Sequence, residues 1–185
     1  MHLWITRILI ILFLVYLPEK LFPQESWLSE EKIISRYSRV FYEDIETLRL
    51  FNRRVKLGSL SYILKKRYPK EISLEKQVSE KIDIIVDRVK TILDMYPKNF
   101  KVDIKITPDS NLVKSIYKKR YYRDTEFVAF YSPQERTIYI SAEDAKSNIL
   151  AHELAHSIID QYFGVAAPVK IHEILAQYVD ENFEE

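Results

Sequence analysis

The chain has 185 residues, 47% of them hydrophobic and 30% charged, with a net charge of +1; that is enough apolar material for one core, without the basic excess of a nucleic-acid binder. It has no cysteine, which excludes disulfides, thiolate metal sites and thiol nucleophiles. Its two glycines, Gly58 and Gly164, exclude a glycine-rich phosphate loop, leaving imidazole and oxygen ligands as the available chemistry.

Ile8 to Leu17 is an unbroken apolar run preceded by Arg7. Its length suits a signal-peptide core, about 7–15 residues, and falls short of the ~20 residues that span a bilayer. The PEKLFPQES that follows has no small-x-small cleavage site. Residues 1–25 therefore read as an export signal or as an uncleaved N-terminal membrane anchor, and 26–185 as a single domain. Both readings imply export, to a periplasm or to the extracellular space.

In the domain, SEEKIISRYS suggests the opening of a helix and SRVFYE a short strand. DIETLRLFNRRV spaces Ile45, Leu48, Phe51 and Val55 as a helix does. GSLSYILKKRYPKE reads as a looser connector. Ser73 then suits the N-cap of an amphipathic helix with the stripe Leu74, Val78, Ile82, Ile85, Val89, Ile92 and Tyr96, ended before Pro97. KVDIKIT alternates as a half-buried strand, and SNLVKSIYKKRYYRD reads as a helix. EFVAFY, SPQE and RTIYIS give strand, turn and strand, a β-hairpin. Ser141 and Asp144 form an S-x-x-D capping box for a helix that ends at Gly164. Pro168 opens the last helix, VKIHEILAQYVDENF.

The helix before Gly164 carries the chemistry. Of four histidines, His152 and His156 stand there four residues apart with Glu153 between them, and His172 follows on the last helix; His2 is at the N-terminus. Four residues on a helix return to within about 40° of the starting direction, so both imidazoles can reach one metal ion. Glu153, about 100° from His152, can instead reach a water on that metal. This is the H-E-x-x-H arrangement of two zinc ligands and a general base. A catalytic zinc takes three protein ligands and keeps one position open. Glu173 is the expected third ligand, with His172 beside it as the rival.

AHELAHSIIDQYFG resembles the active-site helix of the gluzincin metallopeptidases, the thermolysin-like group. HEILAQY is similar to the E-x-x-A-x-Y signature that carries the glutamate ligand in many small relatives. FVAFYSPQERTIYIS resembles that family's hairpin, whose first strand is the sheet edge that binds substrate backbone. The likeness covers roughly Lys101 to the C-terminus. It implies His152, His156 and Glu173 as Zn2+ ligands, Glu153 as the base, and a peptide or protein substrate lying along Val128 to Tyr131. Gluzincins often place an acid four residues after the glutamate ligand to orient a zinc histidine. This chain has Gln177 there, whose uncharged amide should orient an imidazole less strongly.

The expected fold is α+β and zincin-like: a small, mostly antiparallel sheet with an exposed edge strand, backed by helices, with zinc between the last two. The expected activity is zinc-dependent peptide hydrolysis. The alternatives are a non-catalytic zinc-binding interaction module of the same fold and a zinc hydrolase of a non-peptide amide. Larger gluzincins donate an oxyanion histidine from a later helical domain, whereas here only residues 174–185 follow Glu173. Tyr131 is the expected substitute, ahead of Tyr162, with Tyr178 packed away; otherwise a partner protein completes the cleft.

Overall fold

Short runs of alternating and β-branched residues pair into one five-stranded sheet among the residues that the computed structural model describes, 32–164 and 168–183. The strands are β1 (Lys32–Ile34), β2 (Ser38–Tyr42), β3 (Val102–Thr107), β4 (Ala129–Ser132) and β5 (Thr137–Ser141). The helices are α1 (Ile45–Arg54), α2 (Ser61–Arg67), α3 (Leu74–Leu93), α4 (Ser110–Tyr121), α5 (Ser147–Phe163) and α6 (Val169–Asn182). The expected signal or anchor lies outside the described residues; within them no helix is long and apolar enough to cross a membrane.

The sheet order is β1-β2-β3-β5-β4. The architecture is α+β, as expected, but the sheet is mixed rather than mostly antiparallel. The outer pairs β1–β2 and β4–β5 are antiparallel, while β2–β3 and β3–β5 are parallel. The connections explain this. Parallel neighbours need a crossover of a dozen or more residues. The chain supplies one through α1, α2 and α3 between β2 and β3, and another through α4 between β3 and the hairpin.

Two further expectations change. The segment expected to open a helix contributes β1, where Ile33 pairs with Val40. The presumed connector after Gly58 contains a 3-10 turn, Gly58–Leu60, followed by α2.

Strand alternation sends Val40, Ile104, Ile106, Ile138 and Ile140 to one face, where α1, α3, α5 and α6 cover them in the main core. Phe130 and Tyr139 point to the other face, where Val113 and Ile116 of α4 cover them. Each fully buried aliphatic side chain contributes roughly 1.5–3 kcal/mol. The spine of the main core is α3. Ser73 caps it, accepting from the Lys76 N–H, and Asp94 closes it in the left-handed conformation at φ 51°. Val78, Ile82, Ile85 and Val89 are fully buried as the stripe requires, whereas Tyr96 falls past the helix end and is exposed. Asp83 on the same helix accepts from Ser35 Oγ at 2.8 Å and from the backbone N–H groups of Arg36 and Tyr37. The β1–β2 turn is thereby pinned to α3.

Glu80 is the charged counterpart of that pin. It is buried on α3 and accepts from Arg67 at 2.5 Å, Tyr68 at 2.8 Å and Lys76 at 2.8 Å. Burial pushes its carboxyl up, but these three donors outweigh burial and hold it down at about 2, against an ordinary 4.5. A carboxyl depressed by folding stabilises the native state above its unfolded pKa and loses that contribution as pH falls toward its folded pKa. Wild-type stability to urea should therefore drop between pH 4.5 and 2 more steeply than that of Glu80→Gln. Parallel pH profiles for the two proteins would show that the network adds nothing.

Candidate metal centre

Helix α5 is made by burial on one side. Leu150, Ala151, Leu154, Ala155, Ile158 and Ile159 are all fully buried against the sheet and the neighbouring helices. The 3.6-residue repeat then leaves His152, Glu153, His156 and Asp160 together on the remaining sector, and all four line one cavity of about 720 Å³. The helix does not start at the expected capping box. Ser141 donates to Asp144 at 2.7 Å and accepts its N–H, so the box forms, but around the turn after β5. The helix begins later, at Ser147, after Lys146, which makes no side-chain cap. Its end at Gly164, φ 65°, is as expected.

Helix α6 lies antiparallel to α5 and brings the acids. His152 Nε2 and His156 Nε2 are 3.2 Å apart. Two ligands on one tetrahedral zinc with bonds of 2.0–2.1 Å are separated by about 3.3 Å. The Glu173 carboxylate straddles the pair, with one oxygen 3.9 Å from His152 Nε2 and the other 3.7 Å from His156 Nε2. One donor atom from each of the three residues falls within 4.8 Å of the others. The carboxylate is half exposed and needs to move inward by about an ångström to reach tetrahedral spacing. The donor set, two imidazoles and a carboxylate, is that of a catalytic zinc site. His172, the rival, lines the same cavity with its ring centre 5.7 Å from that of His156, but it is not among the converging donors.

The electrostatics agree with a ligand role. Burial, with His152 and His172 nearby, lowers the His156 pKa to about 4, so its ring is neutral at pH 7 and offers a lone pair. Burial raises Glu153 to about 7, opposed by His152 and by the nearby Tyr131 backbone N–H, and reinforced by Glu173 and Asp180.

The residue that orients His152 was not legible as such. Asp180 Oδ2 stands 2.8 Å from His152 Nδ1, a contact that fixes Nδ1 as the protonated nitrogen and leaves Nε2 free for a metal. Gln177, expected in this role, is exposed to solvent. Seven residues on a helix return to within about 20° of the starting direction, so Asp180 lies two turns beyond Glu173 on the same stripe. The signal was an acid at seven residues rather than four.

Strand β4 borders the cavity as the free edge of the sheet. The Ser141 N–H donates to Val128 O at 2.9 Å, so Val128 and Ser141 are a hydrogen-bonded pair. By antiparallel alternation Phe130–Tyr139 and Ser132–Thr137 are too, and Ala129 and Tyr131 turn their N–H and C=O groups outward. The outward N–H of Tyr131 lies near enough to Glu153 to lower its pKa. The Tyr131 side chain reaches the cavity as well, but its hydroxyl donates to Asp160 Oδ2 at 3.0 Å. Burial and that carboxylate push the phenol pKa far up. Tyr162 and Tyr178 are about half exposed and do not line this cavity.

Comparison with protein-family models, with curated proteins and with solved structures yields no match. If Asp180 fixes the His152 tautomer, Asp180→Asn should weaken zinc binding by about 10–100-fold, the usual cost of losing such a partner, while Gln177→Leu leaves it unchanged. Competition titration against a chromogenic chelator measures both, and equal affinities for wild type and Asp180→Asn would remove Asp180 from the site.

Proposed function

We propose that this chain is a zinc-dependent hydrolase of peptide bonds, of the gluzincin kind and with a zincin-like fold. The observation that carries the reading is the convergence of His152, His156 and Glu173 beside Glu153, at the free edge of a sheet. A zinc ion held there supplies a Lewis acid for the scissile carbonyl and lowers the pKa of a bound water. The residues of the chain do the rest. Ala129, with both backbone groups turned outward, pairs with the backbone of an extended peptide along Val128 to Tyr131, adding a strand. Glu153 takes the proton of the attacking water and passes it to the leaving amine. Asp180 holds His152 in its ligand tautomer. The apolar run before the domain fits export to a periplasm or cell exterior, with or without an anchor.

Two other readings share the site. A zinc-binding interaction module needs the ligands but not Glu153, and a hydrolase of another amide needs Glu153 but not an open strand edge. Glu153→Gln distinguishes the first. It should keep its zinc, read by metal analysis, and lose hydrolysis of a peptide mixture by about 10²–10⁴-fold. A glutamine protein as active as wild type would sink the peptidase mechanism.

Tyr131 is the proposed donor to the oxyanion. Its single hydroxyl proton is directed at Asp160 in this state, so serving the substrate requires exchanging that carboxylate for the developing charge. Removing an oxyanion donor costs roughly 2.7–4 kcal/mol of barrier. Tyr131→Phe should therefore lower turnover about a hundredfold or more while zinc content stays the same. Unchanged turnover would leave a cleft completed by a partner protein as the better account.

A further inference from the structure

The wall of the cavity opposite α5 has a composition that zinc chemistry does not require. Tyr117 and Tyr121 of α4 meet Phe127 and Phe130 there. Tyr117 lies edge-on to Phe127 at 5.2 Å and to Phe130 at 5.1 Å, and 4.7 Å from Tyr121. Phe130 is fixed from behind by stacking on Tyr139 at 5.0 Å. Phe127, at the rim, is 50% exposed. These rings line the same cavity as His152, His156 and Glu173, so one occupant can touch both. No lysine or arginine is among the described lining residues, and the charged ones, Glu153, Asp160 and Glu173, stand on α5 and α6.

Strand geometry says which part of an occupant reaches the rings. Side chains of a strand alternate between faces, and directly paired residues on neighbouring strands share a face, with Cβ atoms about 4.5–5.5 Å apart. Tyr131 points toward α5, where it meets Asp160, while Phe130 points toward α4. A peptide added to β4 therefore presents the residues paired with Ala129 and Tyr131 to the metal side, and the residue paired with Phe130 to the aromatic wall.

We propose that the cleft selects extended peptides carrying an aromatic side chain at the residue paired with Phe130, seated against Tyr117 and Phe127. This rests on the strand-addition reading above and names its substrate class. Aromatic pairs prefer edge-to-face or offset arrangements at centroid distances of about 4.5–7 Å, and the half-exposed Phe127 has an open face for one more ring.

The test uses the zinc-loaded full chain carrying Glu153→Gln, so that bound peptides are not consumed. Fluorescein-labelled ten-residue peptides differ at one scanned position, which is Phe, Gly, Asp or Lys, and binding is read by polarisation. At one position the Phe peptide should bind about tenfold tighter than the Gly peptide. Adding Phe127→Ala should shrink that ratio severalfold and Phe127→Tyr should preserve it, with circular dichroism confirming that both variants fold. Equal binding of the Phe and Gly peptides, tighter binding of the Lys peptide, no binding at all, or a preference untouched by Phe127→Ala would each overturn the proposal. Wild-type hydrolysis of the same peptides separates the two readings. Cleavage without an aromatic preference ends this inference and leaves the peptidase standing; selective binding of the Phe peptide without any cleavage does the reverse.

Discussion

The antiparallel packing of α6 on α5 is the contact on which the site depends. Both helices bury small and aliphatic residues in the one main core: Ala151, Leu154, Ala155 and Ile158 of α5 and Ala176 and Val179 of α6 are fully buried. Once those faces are in contact, helical periodicity leaves no freedom about what stands beside the seam. The two histidines, one turn apart on α5, face Glu173 and Asp180, two turns apart on α6. The directions are opposed, so the later acid meets the earlier histidine.

The same contact concentrates like charges. Glu153, Asp160, Glu173 and Asp180 all approach the histidines, with no lysine or arginine among the described residues that line the two adjoining cavities. The protein relieves part of this with the hydrogen bond from Tyr131 to Asp160 and with the Tyr131 backbone N–H near Glu153. The remainder is what a divalent cation would relieve, and relief of that kind is folding free energy as well as binding free energy. The site and the stability of the α5–α6 pair are thus two aspects of one arrangement.

Much of this was legible in the sequence, for reasons that are local. The Ser73 cap and the glycine after α5 are set by neighbours in the chain and stand where expected, and the α3 stripe and the β4–β5 hairpin form with shifted ends: Tyr96 falls beyond α3, and β4 is Ala129–Ser132, later than the expected EFVAFY and taking in the first residue of the expected turn. His152, His156 and Glu173 converge because helical spacing is local and the connection between the helices is short. What escaped was non-local or ambiguous. Strand direction is decided by which strands become neighbours, and β3 finds both of its partners across helical crossovers. The Ser141–Asp144 pair forms the expected bonds around a turn, since the same short motif satisfies a turn or a helix start. KII carries no period long enough to separate strand from helix. Asp180 stands seven residues from Glu173 where the family spacing points to four, and the helical repeat brings the seventh residue to within about 20° of the starting direction.

The placement of Glu153 beside the outward Tyr131 N–H has a consequence for self-association. An open sheet edge is a template on which any strand, including one from another copy, can dock and propagate. Here the edge is four residues long, and the outward N–H of Tyr131 lies beside the Glu153 carboxyl group of α5. A continuous ladder along β4 would have to move that group aside, whereas a short pairing at Ala129 would not. The geometry thus favours a brief pairing at Ala129 over an extended one along β4.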